Sequence, residues 1–154
     1  MAGPYRPTQA GYVAFLRSIG ITTAILPDDS VFIPYSYDVA LDTVNTGLAL
    51  LPGRGGTQVV YTMAVYYLAT DFLLNWAPDQ VGETFFADMR KEFGLLNFQA
   101  GVVTSANDVS TGSSLTTPDY FKNLALSQLQ NLKTPYGRQY LAWAQTWGTN
   151  WGLS

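Results

Sequence analysis

The longest apolar segment of the chain lies near its middle, at residues 57–76. It contains no Pro or Gly and is too long for a typical strand, so the pattern predicts a helix of about five turns. A helix that is apolar nearly all round is buried in protein or in lipid. We therefore expect the central helix of a small bundle. Its polar residues scatter around the helical wheel and are Gln58, Thr62, Thr70, Asp71 and Asn75.

The same segment raises the alternative of a membrane helix, because residues 55–70 carry no charged side chain. A membrane span needs about 20 mostly apolar residues. Asp71 falls within the last turns of the predicted helix, and no basic cluster flanks it. A buried core helix is favoured, and a small membrane-associated protein with helix 57–76 inserted is the alternative.

Three further helices are predicted in the first 95 residues from apolar side chains at spacings of three and four. The first covers residues 9–19, with Thr8 as its cap. The second covers residues 35–51 and the third residues 83–93, while residues 21–34 are predicted to be a packed loop. The expected apolar faces comprise Tyr12, Phe15, Leu16 and Ile19; Tyr37, Leu41, Val44, Leu48 and Leu51; and Phe85, Met89 and Phe93.

The pattern changes at residues 99–117, which are rich in Ser, Thr, Val and Gly and predict a β-hairpin that turns at residues 106–108. An isolated two-stranded hairpin is marginal in water, so this one needs a partner within the subunit or from a neighbour. Helical patterns then resume. Thr117 is placed to cap a helix that extends to residue 132, and a last helix is expected at residues 136–147. The fold class is therefore mainly α, in a single domain.

Composition changes this picture mainly through charge. Charged residues make up 12% of the chain and hydrophobic residues 47%, so the charged share is about half that of a usual soluble protein. Such a surface favours a subunit that is covered by neighbours. The net charge is −3, and the basic residues are spread along the chain without forming a patch. Binding to nucleic-acid phosphates is therefore not expected.

The chain has no Cys and no His, which excludes disulfides, thiol catalysis, the Ser-His-Asp triad and the usual structural zinc sites. Among the remaining residues no catalytic dyad or cofactor motif is visible, so we predict a non-enzymatic protein without cofactor or metal. A cation-binding module is the less favoured alternative, because carboxylate oxygens bind hard cations. Its candidate ligands are Asp28, Asp29, Asp38 and Asp42.

The C-terminal sixteen residues carry no charged side chain but contain Trp147 and Trp151, which continue a spacing of four from Trp143. Tryptophan is enriched at interface hot spots, and an exposed terminal Trp is unfavourable unless something covers it. Trp143, Trp147, Asn150 and Trp151 are therefore candidates for docking to a partner. Folding of this tail back onto its own subunit is equally compatible with the pattern.

The chain contains the run Gly-Val-Val-Thr-Ser-Ala that starts at Gly101, a Ser/Thr-Gly-Ser-rich strand after it, and the segment Thr134-Pro135-Tyr136-Gly137-Arg138-Gln139-Tyr140-Leu141. Together these three features resemble the small helical head–tail connector (adaptor or neck) proteins of tailed bacteriophages. The apolar helix with its Ala-Val-Tyr-Tyr-Leu-Ala core is similar to the central helix of that family. The resemblance covers residues 35–147, and its distinctive part is the motif Thr134, Pro135, Tyr136 and Gly137. Residues 81–98 are longer than the family pattern, and residues 148–154 fall outside it.

The resemblance implies a homo-oligomeric ring of twelve subunits beneath the capsid portal. Such a ring joins the portal protein to the tail or to a further neck protein, and genomic DNA passes through it without specific binding. The tail of residues 148–154 and the tryptophans before it would dock on the portal. The hairpin would be an arm on the adjacent subunit through Val102, Val103, Val109 and Leu115. Residues 1–7 are expected to be extended and are not typical of a signal peptide, so synthesis in the host cytoplasm and a place in the virion neck are expected.

Overall fold

The computed structural model describes residues 6–50, 59–96, 102–107, 112–116 and 130–146, and this part of the chain is mainly helical. A short 3₁₀ helix follows the second α-helix at Thr46–Leu50. The α-helices of the described part are α1 (Gln9–Ser18), α2 (Phe32–Thr43), α3 (Val59–Trp76), α4 (Phe85–Glu92) and α5 (Pro135–Thr146).

Helix α3 is the centre of the fold, and it contacts each of the other four α-helices and the 3₁₀ helix. Its buried side chains point to all sides, from Tyr61 near its start to Leu74 near its end. This arrangement confirms the prediction of a central apolar helix for residues 59–76. The helix is buried on all sides because its neighbours pack around it, as its uniformly apolar sequence requires.

Helix α1 begins where the sequence predicts. Thr8 is its N-cap, and its side-chain oxygen accepts a hydrogen bond from the backbone N–H of Gly11 at 3.0 Å. The hydroxyl group of Tyr66 in α3 accepts from the N–H of Thr8 and donates to its carbonyl, both at 3.2 Å. A side chain at Gly11 would collide with that hydroxyl group. The start of α1 is thus fixed directly on the central helix.

Helix α2 differs from the predicted helix at residues 35–51. It begins at Phe32 and ends at Thr43, where Val44 adopts an extended conformation with ψ of 125°. Asn45 then closes a turn in which its side-chain oxygen accepts from the N–H of Gly47 at 2.8 Å. Such a local bond competes with the helix, and the chain continues as the 3₁₀ helix. Val44 is nevertheless buried, so the break keeps its side chain in the core.

Helix α4 is two residues shorter at its start than predicted, because its cap comes from outside the helix. The carboxylate of Asp79 accepts hydrogen bonds from the N–H groups of Phe86 at 2.6 Å and Ala87 at 2.9 Å. Phe86 is completely buried, and Phe85 and Met89 pack against the core at its edge. An acidic group at a helix N-terminus satisfies unpaired donors and complements the helix dipole.

The described chain also contains two strands, β1 (Val102–Asn107) and β2 (Gly112–Thr116), which pair in antiparallel fashion. Val103 pairs with Leu115, and the register is irregular between Val103 and Ser105. The turn was predicted at residues 106–108, and this position is wrong. Ala106 pairs with Ser113, and β1 ends only at Asn107, so residues 106 and 107 belong to the strand.

Some predictions for the C-terminal half fall on residues outside the described part of the chain. They concern Val109 of the predicted arm and residues 117–129, which comprise most of the helix expected before residue 132. The described chain resumes at residue 130. The role of the two strands as an inter-subunit arm stays a prediction.

Replacing Asp79 should test the cap of α4. Asp79→Ala removes both acceptors from the N–H groups of Phe86 and Ala87, so we expect a loss of about 1–2 kcal/mol in the free energy of unfolding, measured by urea denaturation. Glu92→Ala, at the exposed end of the same helix, should change it by less than about 0.5 kcal/mol. Equal effects of the two substitutions would contradict the capping role.

Candidate functional site

The start of α5 contains the sequence motif of residues 134–137, and its geometry is that of a capped helix. The side-chain oxygen of Thr134 accepts a hydrogen bond from the N–H of Gly137 at 2.9 Å, and the carbonyl of Thr134 accepts from the N–H of Arg138 at 3.0 Å. Pro135 occupies the first helical position, where its missing N–H is not needed. The motif therefore specifies where the last helix begins.

The hydroxyl group of Thr134 also joins α5 to the central helix, because it donates a hydrogen bond to the carboxyl oxygen Oδ1 of Asp71. Both side chains are completely buried. One hydroxyl group thus donates to α3 and accepts from α5. We refer to this contact between Asp71 and Thr134 as the α3–α5 junction.

Burial changes the chemistry of Asp71. Removal from water disfavours the ionised carboxylate and raises the pKa of Asp71 from 3.8 to about 7, while the hydrogen bond from Thr134 acts in the opposite direction. The junction therefore contains a carboxyl group that titrates near neutral pH.

Gly137 is required by a close approach of two backbone segments. A Cβ atom at this position would lie 2.8 Å from both the Cα and the carbonyl carbon of Asn131 and would collide with its carbonyl oxygen. No larger residue fits without a shift of the backbone. Each of three motif residues thus has its own structural role near the junction. Thr134 caps α5 and binds Asp71, Pro135 starts the helix, and Gly137 permits the close backbone contact.

Two aromatic residues of α5, Tyr136 and Trp143, pack on a single tyrosine of α3. The ring of Tyr136 lies 5.8 Å from that of Tyr67, and the indole of Trp143 meets Tyr67 edge-on at a centroid distance of 5.0 Å. Phe15 of α1 contacts the same tyrosine at 5.3 Å. Of the predicted docking residues, Trp143 is thus half-buried within the subunit. The other three, Trp147, Asn150 and Trp151, lie outside the described residues.

Further polar contacts connect the segment before α5 to the end of α3. The side-chain amide of Asn75 donates to the carbonyl of Asp71 at 2.7 Å, and its oxygen accepts from the amide of Gln130 at 2.8 Å. Lys133 donates from its ammonium group to the carbonyl of Gly94 at 3.2 Å. These bonds hold residues 130–134 against both α3 and the turn after α4.

Arg90 of α4 completes the end of the central helix. Its guanidinium donates to the carbonyl of Leu74 at 2.9 Å and also to the carbonyl of Ala77. These carbonyls have no partner within the helix, and a cation at a helix C-terminus is favourable. The sequence pattern gave no indication of this contact, because Arg90 lies 16 residues after Leu74.

The four acidic residues of the cation-binding alternative are not brought together. Asp28 forms an ion pair with Arg17, and Asp38 and Asp42 are exposed on α2. Within the described ranges no group of three or more acidic side chains is arranged to hold a metal ion. In the described structure these four residues therefore do not form such a group.

The membrane alternative concerns α3. Among the described residues, none of the helices has both the length and the apolar character needed to cross a lipid bilayer.

No protein-family model, curated protein or solved structure matches this chain. Its function must therefore be argued from its own residues and from the resemblance of its motifs.

The ionisation of Asp71 should make stability depend on pH. In the unfolded chain the carboxyl ionises near pH 4, whereas in the folded chain it stays protonated up to about pH 7. Between these values the folded state holds the extra proton, so the free energy of unfolding should fall as pH rises, by up to about 1.4 kcal/mol per unit.

Urea unfolding at several pH values between 4.5 and 8 would measure this dependence. The side chain of Asp71→Asn cannot ionise, so the free energy of unfolding of this variant should not fall in this way as pH rises. The difference in free energy of unfolding between the variant and the wild type should therefore shift in favour of the variant with rising pH. Glu92→Gln, which changes an exposed carboxyl, should keep the wild-type profile. A parallel profile for Asp71→Asn would contradict the raised pKa.

Gly137→Ala offers a test in which two effects have opposite signs. By helix propensity alone, alanine should stabilise the interior of α5 by about 1 kcal/mol. The collision with the backbone of Asn131 predicts the reverse, a loss of at least about 2 kcal/mol in thermal or urea unfolding. Ala142→Gly on the exposed face of α5 should cost about 1 kcal/mol by propensity. A stabilised Gly137→Ala variant would contradict the close approach.

Proposed function

We propose that this chain is a structural subunit of the neck of a tailed bacteriophage, in a ring that joins the capsid portal to the tail or to a further neck protein. The observation that carries the proposal is the coincidence of the connector-like motif with the α3–α5 junction. Residues 134–137 set the start and the path of the last helix. The resemblance therefore falls on residues that determine the fold.

The surface of the subunit supports an assembled state. Only 12% of the residues are charged, and three large apolar side chains are exposed along α2 at Val31, Tyr35 and Val39. A monomer gains nothing from such side chains in water, whereas neighbours in a ring can bury them. The proposed role is non-enzymatic and needs no cofactor.

The hairpin of β1 and β2 fits the same role as an arm that lies on the adjacent subunit. Two strands alone are marginal in water, so contact with a neighbour supplies the burial that they lack. The proposed contact residues are Val102, Val103, Val109 and Leu115. The net charge of −3 suits a channel that lets DNA pass without retaining it, because acidic groups repel phosphates.

The C-terminal tail is the proposed contact with the portal. Trp143 already packs on Tyr67, so it anchors α5 to the subunit and leaves docking chiefly to the residues after it. Trp147, Asn150 and Trp151 follow in an uncharged segment that can bury aromatic area on a partner. Helix α5 would then connect the core of the subunit to the portal.

Truncation after Trp147 should separate folding from docking. We expect the truncated chain to keep the circular dichroism and melting temperature of the full chain but to lose co-sedimentation with the portal protein from the same genome. Val81→Ser, which alters a fully exposed side chain between α3 and α4, should bind the portal normally. If the full chain itself fails to bind the portal, the proposed function is wrong. If the full and the truncated chains bind the portal equally well, only the role of the tail is refuted.

A further inference from the structure

Helix α2 and its N-cap present an apolar row that the rest of the described structure leaves exposed. Val31, the N-cap, is 54% exposed, and Tyr35 and Val39 are 60% and 41% exposed; their spacing of four places them in one row. We call these three residues the α2 stripe. The opposite face of α2 is buried through Ile33, Tyr37 and Ala40. The helix is therefore apolar on two faces, and the described residues bury one of them.

Two exposed carboxylates, Asp38 and Asp42, flank the α2 stripe on one side. Residues 29–50 contain no basic residue, so this surface is purely acidic. Asp42 also lies in the last turn of α2, where the helix dipole disfavours a negative charge. The helix dipole therefore gives no reason for an acid at position 42, whereas a cation on another molecule would.

The outer face of α5 has the opposite character. Arg138 and Ala142 are exposed there, and residues 130–146 contain two basic residues and no acidic one. Lys133 directs its ammonium group to the carbonyl of Gly94 at 3.2 Å, and the guanidinium of Arg138 donates one hydrogen bond to the carbonyl of Leu132 at 3.4 Å. Arg138 is exposed and has further N–H donors, so it is the cation that this outer face presents. Arg138 lies near the N-terminus of α5, where the helix dipole disfavours a positive charge. The charge of Arg138 is thus unfavourable for α5, just as the charge of Asp42 is unfavourable for α2.

We propose that the α2 stripe of one subunit docks on the outer face of α5 of a second copy, with Asp38 and Asp42 facing Arg138. Both helices pack on α3, and they do not pack extensively on each other, so the two surfaces lie on different sides of the subunit. A contact between two different surfaces is head-to-tail and can repeat around a ring. The inference rests on the proposed ring and names the surfaces that would build it.

The charges favour this occupant over the neighbour's hairpin. Strands β1 and β2 contain no charged residue, so they offer no cation to pair with the two carboxylates. The α5 face offers a guanidinium beside small neutral residues. Complementary charges in an interface fix its register and suppress wrong pairings. A second copy of the chain thus supplies a cation for the charged part of the α2 surface, and Ala142 leaves room beside that cation for the α2 stripe.

Charge reversal with rescue tests the contact. Sedimentation velocity on the full chain, over a wide concentration range at low salt, gives the concentration at half assembly. Asp38→Lys/Asp42→Lys and Arg138→Glu should each raise that concentration by about tenfold or more. An equimolar mixture should return it to within about threefold of the wild type, because the two variants can alternate around the ring. Neither variant should lose melting temperature, because the reversals at Asp42 and Arg138 suit the dipoles of their helices and the side chain of Asp38 is exposed.

A matched pair tests the apolar part. Val39→Ser should raise the concentration at half assembly by about tenfold. Val81→Ser also replaces an exposed valine, but one outside the α2 stripe, and should leave that concentration unchanged. Charge variants that assemble like the wild type, or a mixture that is not rescued, would overturn the contact in favour of another occupant such as the hairpin. A wild type that is monomeric at every concentration would also overturn it, whereas binding to the portal decides the proposed function separately.

Discussion

Burying the carboxyl group of Asp71 inside a helix that has no other charged residue is unfavourable, and the arrangement of the C-terminal half reflects how this cost is met. The hydroxyl group of Thr134 reaches Asp71 only when residue 134 stands at the start of α5. The same hydroxyl accepts the N–H of Gly137, so the position of Asp71 also fixes the first turn of that helix. Within the described residues every buried polar side-chain atom has a partner, which shows that the network is complete.

The last turns of α3 are consequently where the separate segments of the chain meet. Arg90 brings α4 to the final carbonyls, and Asn75 receives Gln130 from the segment before α5. Helix ends carry unsatisfied carbonyls, and here they are used to position other elements. Fold and proposed function therefore depend on the same few residues, because the path of α5 decides where Thr146 lies, and the proposed docking residues follow it in the sequence.

Local patterns predicted much of the described fold. The cap at Thr8, the central helix and the start of the last helix follow from side chains a few residues apart, whose effects depend on nearby backbone. The break after Thr43 was missed because the turn of Asn45 competes with a helix that the apolar spacing alone would continue. The start of α4 was missed because Asp79 caps it from several residues upstream.

The candidate site was less accessible to prediction, since Asp71 and Thr134 are separated by 63 residues. Periodicity reports which side of a helix is buried but not which distant residue meets it. The available signal was a lone acid in an uncharged helix, since such a group requires a polar partner. The charge arrangement of α2 and α5 likewise became visible only when exposure separated surface groups from buried ones.

The close approach at Gly137 has a mechanical consequence. Because Gly137 has no side chain, the backbone of α5 packs directly against the backbone of Asn131, and no side-chain atoms lie between the two segments. Helix α5 continues beyond this contact for nine residues, to its end at Thr146, or about 14 Å. A tilt of about 10° at Gly137 would displace its far end by about 2 Å, a distance that follows from the same helical rise. Since Tyr140, Leu141 and Ala144 of α5 are also buried in the core, such a tilt would require repacking, and the end of α5 is therefore held in a fixed place relative to the central helix.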